Sequence, residues 1–250
     1  MAQKPIIECT NISKVYHQHT IPTMRLQDEL MFWRNRSKAV RIDALRPASL
    51  KIYPGEWVGL HGPNGSGKTT FLKIVAGILK SDTGSIRIDG SMSSFFELGI
   101  GFHPERQASE NIRLNALLSG MHHDEIEDLI QRVLAFADIG EHADLPMKCY
   151  STGMRLRLGF AASAQMDADI YLFDEILAVG DADFQMKCIQ YLEDLKQKKK
   201  TVIIVSHDYK GLMNICGRML FFDKGLISGQ RRKIRSSSTA SSDLFESESD

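Results

Sequence analysis

At 250 residues the chain is long enough to bury one large core, or a large lobe with a smaller companion. Hydrophobic residues make up 43% and charged residues 25%, a globular balance that excludes a fibrous or largely disordered protein. Lys plus Arg equals Asp plus Glu at 31 each, so the basic excess that neutralises nucleic-acid phosphates is missing and that partner class is disfavoured.

The four cysteines, Cys9, Cys149, Cys188 and Cys216, are widely spaced and form no CxxC pair. They read as reduced, buried thiols rather than disulfides or zinc ligands. The first residues lack the apolar stretch of a signal peptide. The best apolar run, 170–179, is broken by Asp174 and Glu175, so nothing reaches the ~20 apolar residues that span a bilayer. Any membrane association must come through a partner or a surface helix.

Taken in chain order, residues 17–43 sit where a compact domain would use a short connection. They hold Met24, Leu26, Leu30, Met31 and Trp33, which read as a surface helix. Residues 50–60 contain a Pro54-Gly55 turn and then a short apolar strand. A glycine-rich loop follows, and then an amphipathic run over 69–79 that reads as a helix. Segments 85–89 and 220–227, broken by Gly84, Gly90 and Gly225, point to an antiparallel flank. In 124–137 the residues Ile126, Leu129, Ile130, Val133, Leu134 and Ala137 recur at helical spacing. Residues 109–166 therefore read as a helical subdomain inserted into an α/β lobe.

Two apolar runs, 170–173 and 201–205, read as buried strands ending in Asp174-Glu175 and Ser206-His207-Asp208. Ligands of parallel α/β sheets sit beyond the carboxyl ends of strands, so these polar residues are candidates for one site. The pair His122-His123 and the run Lys198-Lys199-Lys200 read as solvated helix ends. After Gln230 the chain turns basic and then Ser-rich and acidic, and 231–250 reads as a disordered tail on an ordered region of 1–230.

The chemistry concentrates in Gly62-Pro63-Asn64-Gly65-Ser66-Gly67-Lys68-Thr69-Thr70, which fits the phosphate-loop pattern between a predicted strand and a predicted helix. Glycines let backbone N–H groups converge on phosphate oxygens, and the helix adds its positive N-terminus. Lys68 would reach the β- and γ-phosphates of ATP, and the Thr69 hydroxyl would ligate Mg²⁺. Asp174 is the natural second Mg²⁺ partner. Glu175 is placed to polarise the attacking water as a general base.

Tyr150-Ser151-Thr152-Gly153-Met154-Arg155, about 20 residues before the second acidic strand, resembles the signature motif of ABC transporter ATPases. His207 resembles that family's switch histidine, which senses the γ-phosphate. Asp181 matches its D-loop aspartate, and Tyr16 is placed like the aromatic that stacks on adenine. The resemblance covers roughly 5–230 and implies a P-loop NTPase fold: a RecA-like lobe, an antiparallel β flank and an inserted helical subdomain. It also implies a homodimer in which Ser151, Thr152, Gly153 and Met154 face the ATP held by the partner subunit.

Asp-Glu-Ile-Leu-Ala-Val-Gly-Asp at 174–181 replaces the usual Asp-Glu-Pro opening, and Glu97 occupies the region of the Q-loop glutamine. With Tyr-Ser-Thr-Gly-Met and the insert after Tyr16, these departures look like the polysaccharide exporters, O-antigen exporters first and teichoic-acid exporters next. The resemblance implies a peripheral ATPase on the cytoplasmic face of the bacterial inner membrane. It would drive a separate six-helix permease that moves lipid-linked polysaccharide, with capsular polysaccharide or another cargo as alternatives. The 20 residues after Gln230 are too few for the carbohydrate-binding domain that some relatives append.

Overall fold

The computed structural model describes residues 3–18, 40–95, 102–174 and 181–231. Two long strands open the fold, β1 (Ile7–Gln18) and β2 (Val40–Ile52), paired antiparallel with register shifts between Cys9 and Val15. β4 (Thr83–Ile88) pairs antiparallel on the other side of β1, giving a three-stranded sheet in the order β2-β1-β4. Tyr16 faces Ile42 and Gln18 faces Val40 across the ladder, so strand pairing enters both ends of the 17–43 segment. What remains of that connection, 19–39 with Met24 to Trp33, lies outside the described residues.

The second sheet has six strands in the order β5-β6-β7-β3-β8-β9. Its members are β3 (Trp57–His61), β5 (Met92–Phe95), β6 (Ile170–Asp174), β7 (Thr201–Val205), β8 (Arg218–Asp223) and β9 (Leu226–Arg231). All pairings are parallel except the β8–β9 hairpin. Segment 220–227, expected in the antiparallel flank, thus belongs to the main sheet. The cause is its composition: Met219, Leu220 and Phe222 are all buried, which suits a strand covered on both faces.

Strand alternation divides the interior. Ile170, Leu172, Ile203 and Val205 point to one side of the sheet, where Ile7, Ile12, Leu45 and Ile52 of the antiparallel sheet meet helix α1 (Lys68–Val75). Tyr171, Phe173, Val202 and Ile204 point to the other, against Phe184, Cys188, Leu192 and Leu195 of α5 (Ala182–Gln197) and Leu212 of α6 (Tyr209–Ile215). Helix α1 is shorter than the periodic run that predicts it. Its last turn closes when Ala76 N–H donates to Leu72 O and Gly77 N–H to Ile74 O.

A third core joins α2 (Ala108–Leu118), α3 (His123–Ala137) and α4 (Thr152–Ala164). The predicted stripe is there: Ile126, Leu129, Ile130, Val133 and Ala137 are buried, with Leu134 packed at its margin. Phe160 of α4 is fully buried and ties this unit to the main sheet, its ring 5.7–6.0 Å from those of Phe95, Phe136, Phe173, Phe184 and Tyr191.

Two smaller expectations change. Cys9, Cys188 and Cys216 are buried, and burial pushes each thiol up to about 12, whereas Cys149 is exposed. Lys200 is no solvated helix end: its Nζ donates to Asp167 Oδ1 at 2.9 Å, which raises its pKa.

Candidate functional site

The parallel register aligns three strand ends. Leu60 of β3 lies beside Val205 of β7, and Val205 lies beside Asp174 of β6. The glycine-rich loop leaves β3 after His61, and His207 follows β7 by two residues, so both emerge with Asp174 on the carboxyl edge of the sheet. This is where open α/β sheets bind ligands.

The loop is held from inside. Lys68, only 6% exposed, donates through Nζ to Gly62 O at 2.7 Å and Pro63 O at 2.9 Å. Its ammonium is therefore drawn back across the loop it would serve. The Ser66 hydroxyl is buried and finds no hydrogen-bond partner among the described residues, which leaves a donor inside the cradle. The Gly67 N-cap opens α1 with φ +109, and the carbonyl oxygen of Ala44 occupies the space a β-carbon would need there. Strand β2 thereby forms a wall of the loop, fixed by Arg46 N–H donating to Gly225 O and Gly225 N–H to Ser66 O at 2.8 and 3.0 Å.

Thr69 Oγ1 donates to Asp174 Oδ2 at 3.3 Å, across two different elements. A hydroxyl and a carboxylate this close fit a hard divalent cation that completes its shell with water and phosphate oxygens. Tyr16, 41% exposed, stands near the end of β1 with Lys14 Nζ 5.9 Å from its ring centroid. Its cross-strand partner Ile42 is two residues from the Ala44 that touches the loop.

The remaining expected residues are distributed differently. Ser151 and Thr152 are exposed on the N-terminal turn of α4, and the Ser151 hydroxyl caps that helix by accepting from Met154 N at 3.1 Å. Among the described residues no hydrogen bond or ion pair joins 151–154 to the phosphate loop. Asp181 caps α5, accepting from Phe184 N at 3.0 Å. His207 is exposed, and Asp208 beside it caps α6 by accepting from Gly211 N at 2.9 Å. Glu97 and Glu175 lie outside the described residues.

Sequence reasoning missed Ala44, whose contribution is a backbone carbonyl and carries no side-chain signal. It also missed Asn111, which is completely buried. Asn111 Oδ1 accepts from His103 N at 2.6 Å, and Nδ2 lies 3.1 Å from His103 O and 3.0 Å from Gln107 O. It holds the start of the helical unit in place.

Comparison with known proteins agrees with this geometry. Residues 45–178 match the family model described as ABC transporter. An O-antigen export system ATP-binding protein of Klebsiella pneumoniae is 38% identical over 88% of this chain and 91% of its own length. A teichoic acids export ATP-binding protein of Shouchella clausii is 35% identical over 88% of this chain and 61% of its own. The ATP-binding cassette MJ0796, solved as a dimer bound to ADP and Pi, superposes with a TM-score of 0.72 at 23% identity over 91% of this chain and all of its own. Two layered sheets, a phosphate loop at the strand edge and a family match across the loop and Asp174 lead to one conclusion: the chain belongs to the ATP-binding subunits of ABC transporters.

Proposed function

We propose that this ATPase powers export of a lipid-linked polysaccharide, O-antigen first among the candidates, through a separate membrane permease at the bacterial inner membrane. The supporting observation is the shared carboxyl edge on which the phosphate loop, Asp174 and the strand leading to His207 come together. The choice of cargo rests on similarity to O-antigen and teichoic-acid export proteins. Teichoic acid, capsular polysaccharide or another cargo is the second reading. No helix among the described residues is long and apolar enough to cross a membrane.

In this reading the backbone N–H groups of 62–70 and Lys68 bind the phosphates of ATP, and Tyr16 stacks on the base. Thr69 and Asp174 would hold Mg²⁺, which supplies charge neutralisation to the phosphates when bound. Glu175 takes a proton from the attacking water, and His207 contacts the γ-phosphate. The 151–154 turn, exposed at Ser151 and Thr152, would complete the site of a second copy, because its helix N-terminus offers backbone N–H groups to phosphate. ATP bound between two copies then stabilises the dimer, and hydrolysis releases it.

Glu175→Gln and Lys68→Ala test the assignment together. The first variant should bind ATP, stop hydrolysis and accumulate as a dimer. The second should lose binding or turnover. Hydrolysis at the normal rate by Glu175→Gln would remove the general-base role. Export of labelled lipid-linked glycan into inverted vesicles, with the permease present, tests the cargo.

A further inference from the structure

Three rings meet at the carboxyl edge of the main sheet, between the phosphate loop and the turn that carries His207. His61 closes β3 immediately before Gly62, and its ring centroid lies 5.2 Å from that of Tyr209 and 6.2 Å from that of Phe221. Tyr209 and Phe221 are 6.1 Å apart, so all three distances fall in the range of paired aromatic side chains. Phe221 is the cross-strand partner of His61 on β8, which fixes that side of the cluster by strand pairing. Tyr209 comes from elsewhere: it is the first residue of α6, two residues after His207.

The hydrogen bonds around His207 are local. Ser206 Oγ accepts from Asp208 N at 3.0 Å, closing a turn with His207 at its middle, and Asp208 caps α6. These bonds shape the turn without setting its distance from the phosphate loop. Buried Leu212 seats α6 on the sheet one helical turn further on. The Tyr209–His61 contact acts at the end nearer His207, and it reaches the residue from which the phosphate loop departs. Tyr209 is 39% exposed, but a ring contact, unlike an ion pair, is not screened away by salt.

His61 is a poor choice for packing alone. Its Nδ1 is buried and has no hydrogen-bond partner among the described residues, a destabilising arrangement that an aliphatic side chain would avoid. What the imidazole supplies instead is a flat face for Tyr209. We propose that His61 and Tyr209 are positioning residues for ATP hydrolysis: their tilted ring contact holds the His207 turn at a fixed distance from the phosphate loop, so that His207 meets the γ-phosphate. The proposal rests on the role given above to His207.

Steady-state hydrolysis by the full chain tests it with Tyr209→Ala, Tyr209→Phe and His61→Leu. Tyr209→Ala should lower kcat by about three- to tenfold, the scale of one aromatic pair, with KM for ATP within about twofold because Lys68 and the loop backbone are untouched. Tyr209→Phe keeps the ring and should hold kcat within about twofold of the starting protein. His61→Leu should lower kcat as Tyr209→Ala does while Tm stays level or rises, since the orphaned nitrogen is gone. A role in packing alone would lower Tm and leave kcat of the folded protein unchanged. Should Tyr209→Ala not fold, His61→Leu carries the test. Unchanged kcat in either variant that removes a ring, or a loss in Tyr209→Phe as large as in Tyr209→Ala, would overturn the proposal. Impaired hydrolysis in His207→Ala beside normal kcat in the ring variants sinks only the positioning role. Normal hydrolysis in His207→Ala instead sinks the reading beneath it.

Discussion

Replacing Gly67 by Ala asks whether β2 really walls the phosphate loop. At φ +109 an L-residue is strained beyond the left-handed helical well, at about 2–3 kcal/mol. The new methyl would also drive into the Ala44 carbonyl oxygen, which must retreat by about 1 Å to reach an ordinary C···O separation. Ala44 is not free to retreat, because Arg46 N–H is bonded to Gly225 O and Asp43 is paired to Val15. Losing one such backbone bond adds about 1 kcal/mol, for a total of about 3–4 kcal/mol. Gly65→Ala is the matched control: its φ of +73 costs about 1–2 kcal/mol, but nothing lies within 4 Å of the added methyl. With a urea m-value of about 3 kcal/mol/M, the midpoint should fall by about 1 M for Gly67→Ala and by about half that for Gly65→Ala. Equal shifts for the two variants, measured without nucleotide, would refute the wall.

Phe160→Ala should destabilise by about 3–5 kcal/mol, since it empties the contact among five rings, and thermal unfolding should show a drop of roughly 6–20 °C. Asn111→Leu should cost about 2–5 kcal/mol in urea titrations, because His103 N–H and C=O lose their buried partner. Iodoacetamide at pH 8 should label the native protein once, at exposed Cys149, and label all four cysteines in urea. The three buried thiols, held up at about 12, stay protonated and unreactive in the folded state, and their protection would be lost only above that pH. Rapid native labelling of Cys188 or Cys216 would contradict the packing of α5 and α6 on the sheet.

The legible parts of the fold were those whose signal is local. Strands β6 and β7 are short apolar runs closed by polar residues, and the 124–137 stripe repeats at helical spacing with its residues buried as expected. The phosphate loop is a fixed string of residue types. Strands β1 and β2 escaped notice because β2 is mostly exposed along its length, with only Leu45 and Ile52 fully buried, so no alternation marks it. The sheet membership of β8 depends on pairing with β3, about 160 residues earlier, which no window of sequence contains. Ala44 was missed because it acts through its backbone, which carries no side-chain signal.

The order of strands in the main sheet governs when the nascent protein first becomes able to hold nucleotide. Strand β3 carries the phosphate loop, yet its two neighbours are β7 and β8, which emerge from the ribosome about 145 and 160 residues later. At ordinary elongation speeds that delay is on the order of 10–30 s. Throughout it the loop has no sheet edge to stand on, and the Asp174 strand has no β7 beside it. An arrested chain ending before Thr201 should therefore not bind ATP although every residue of 62–70 is already outside. The loop gains its sheet neighbours only once β7 and β8 have been made, and a chain arrested before then should hydrolyse no ATP.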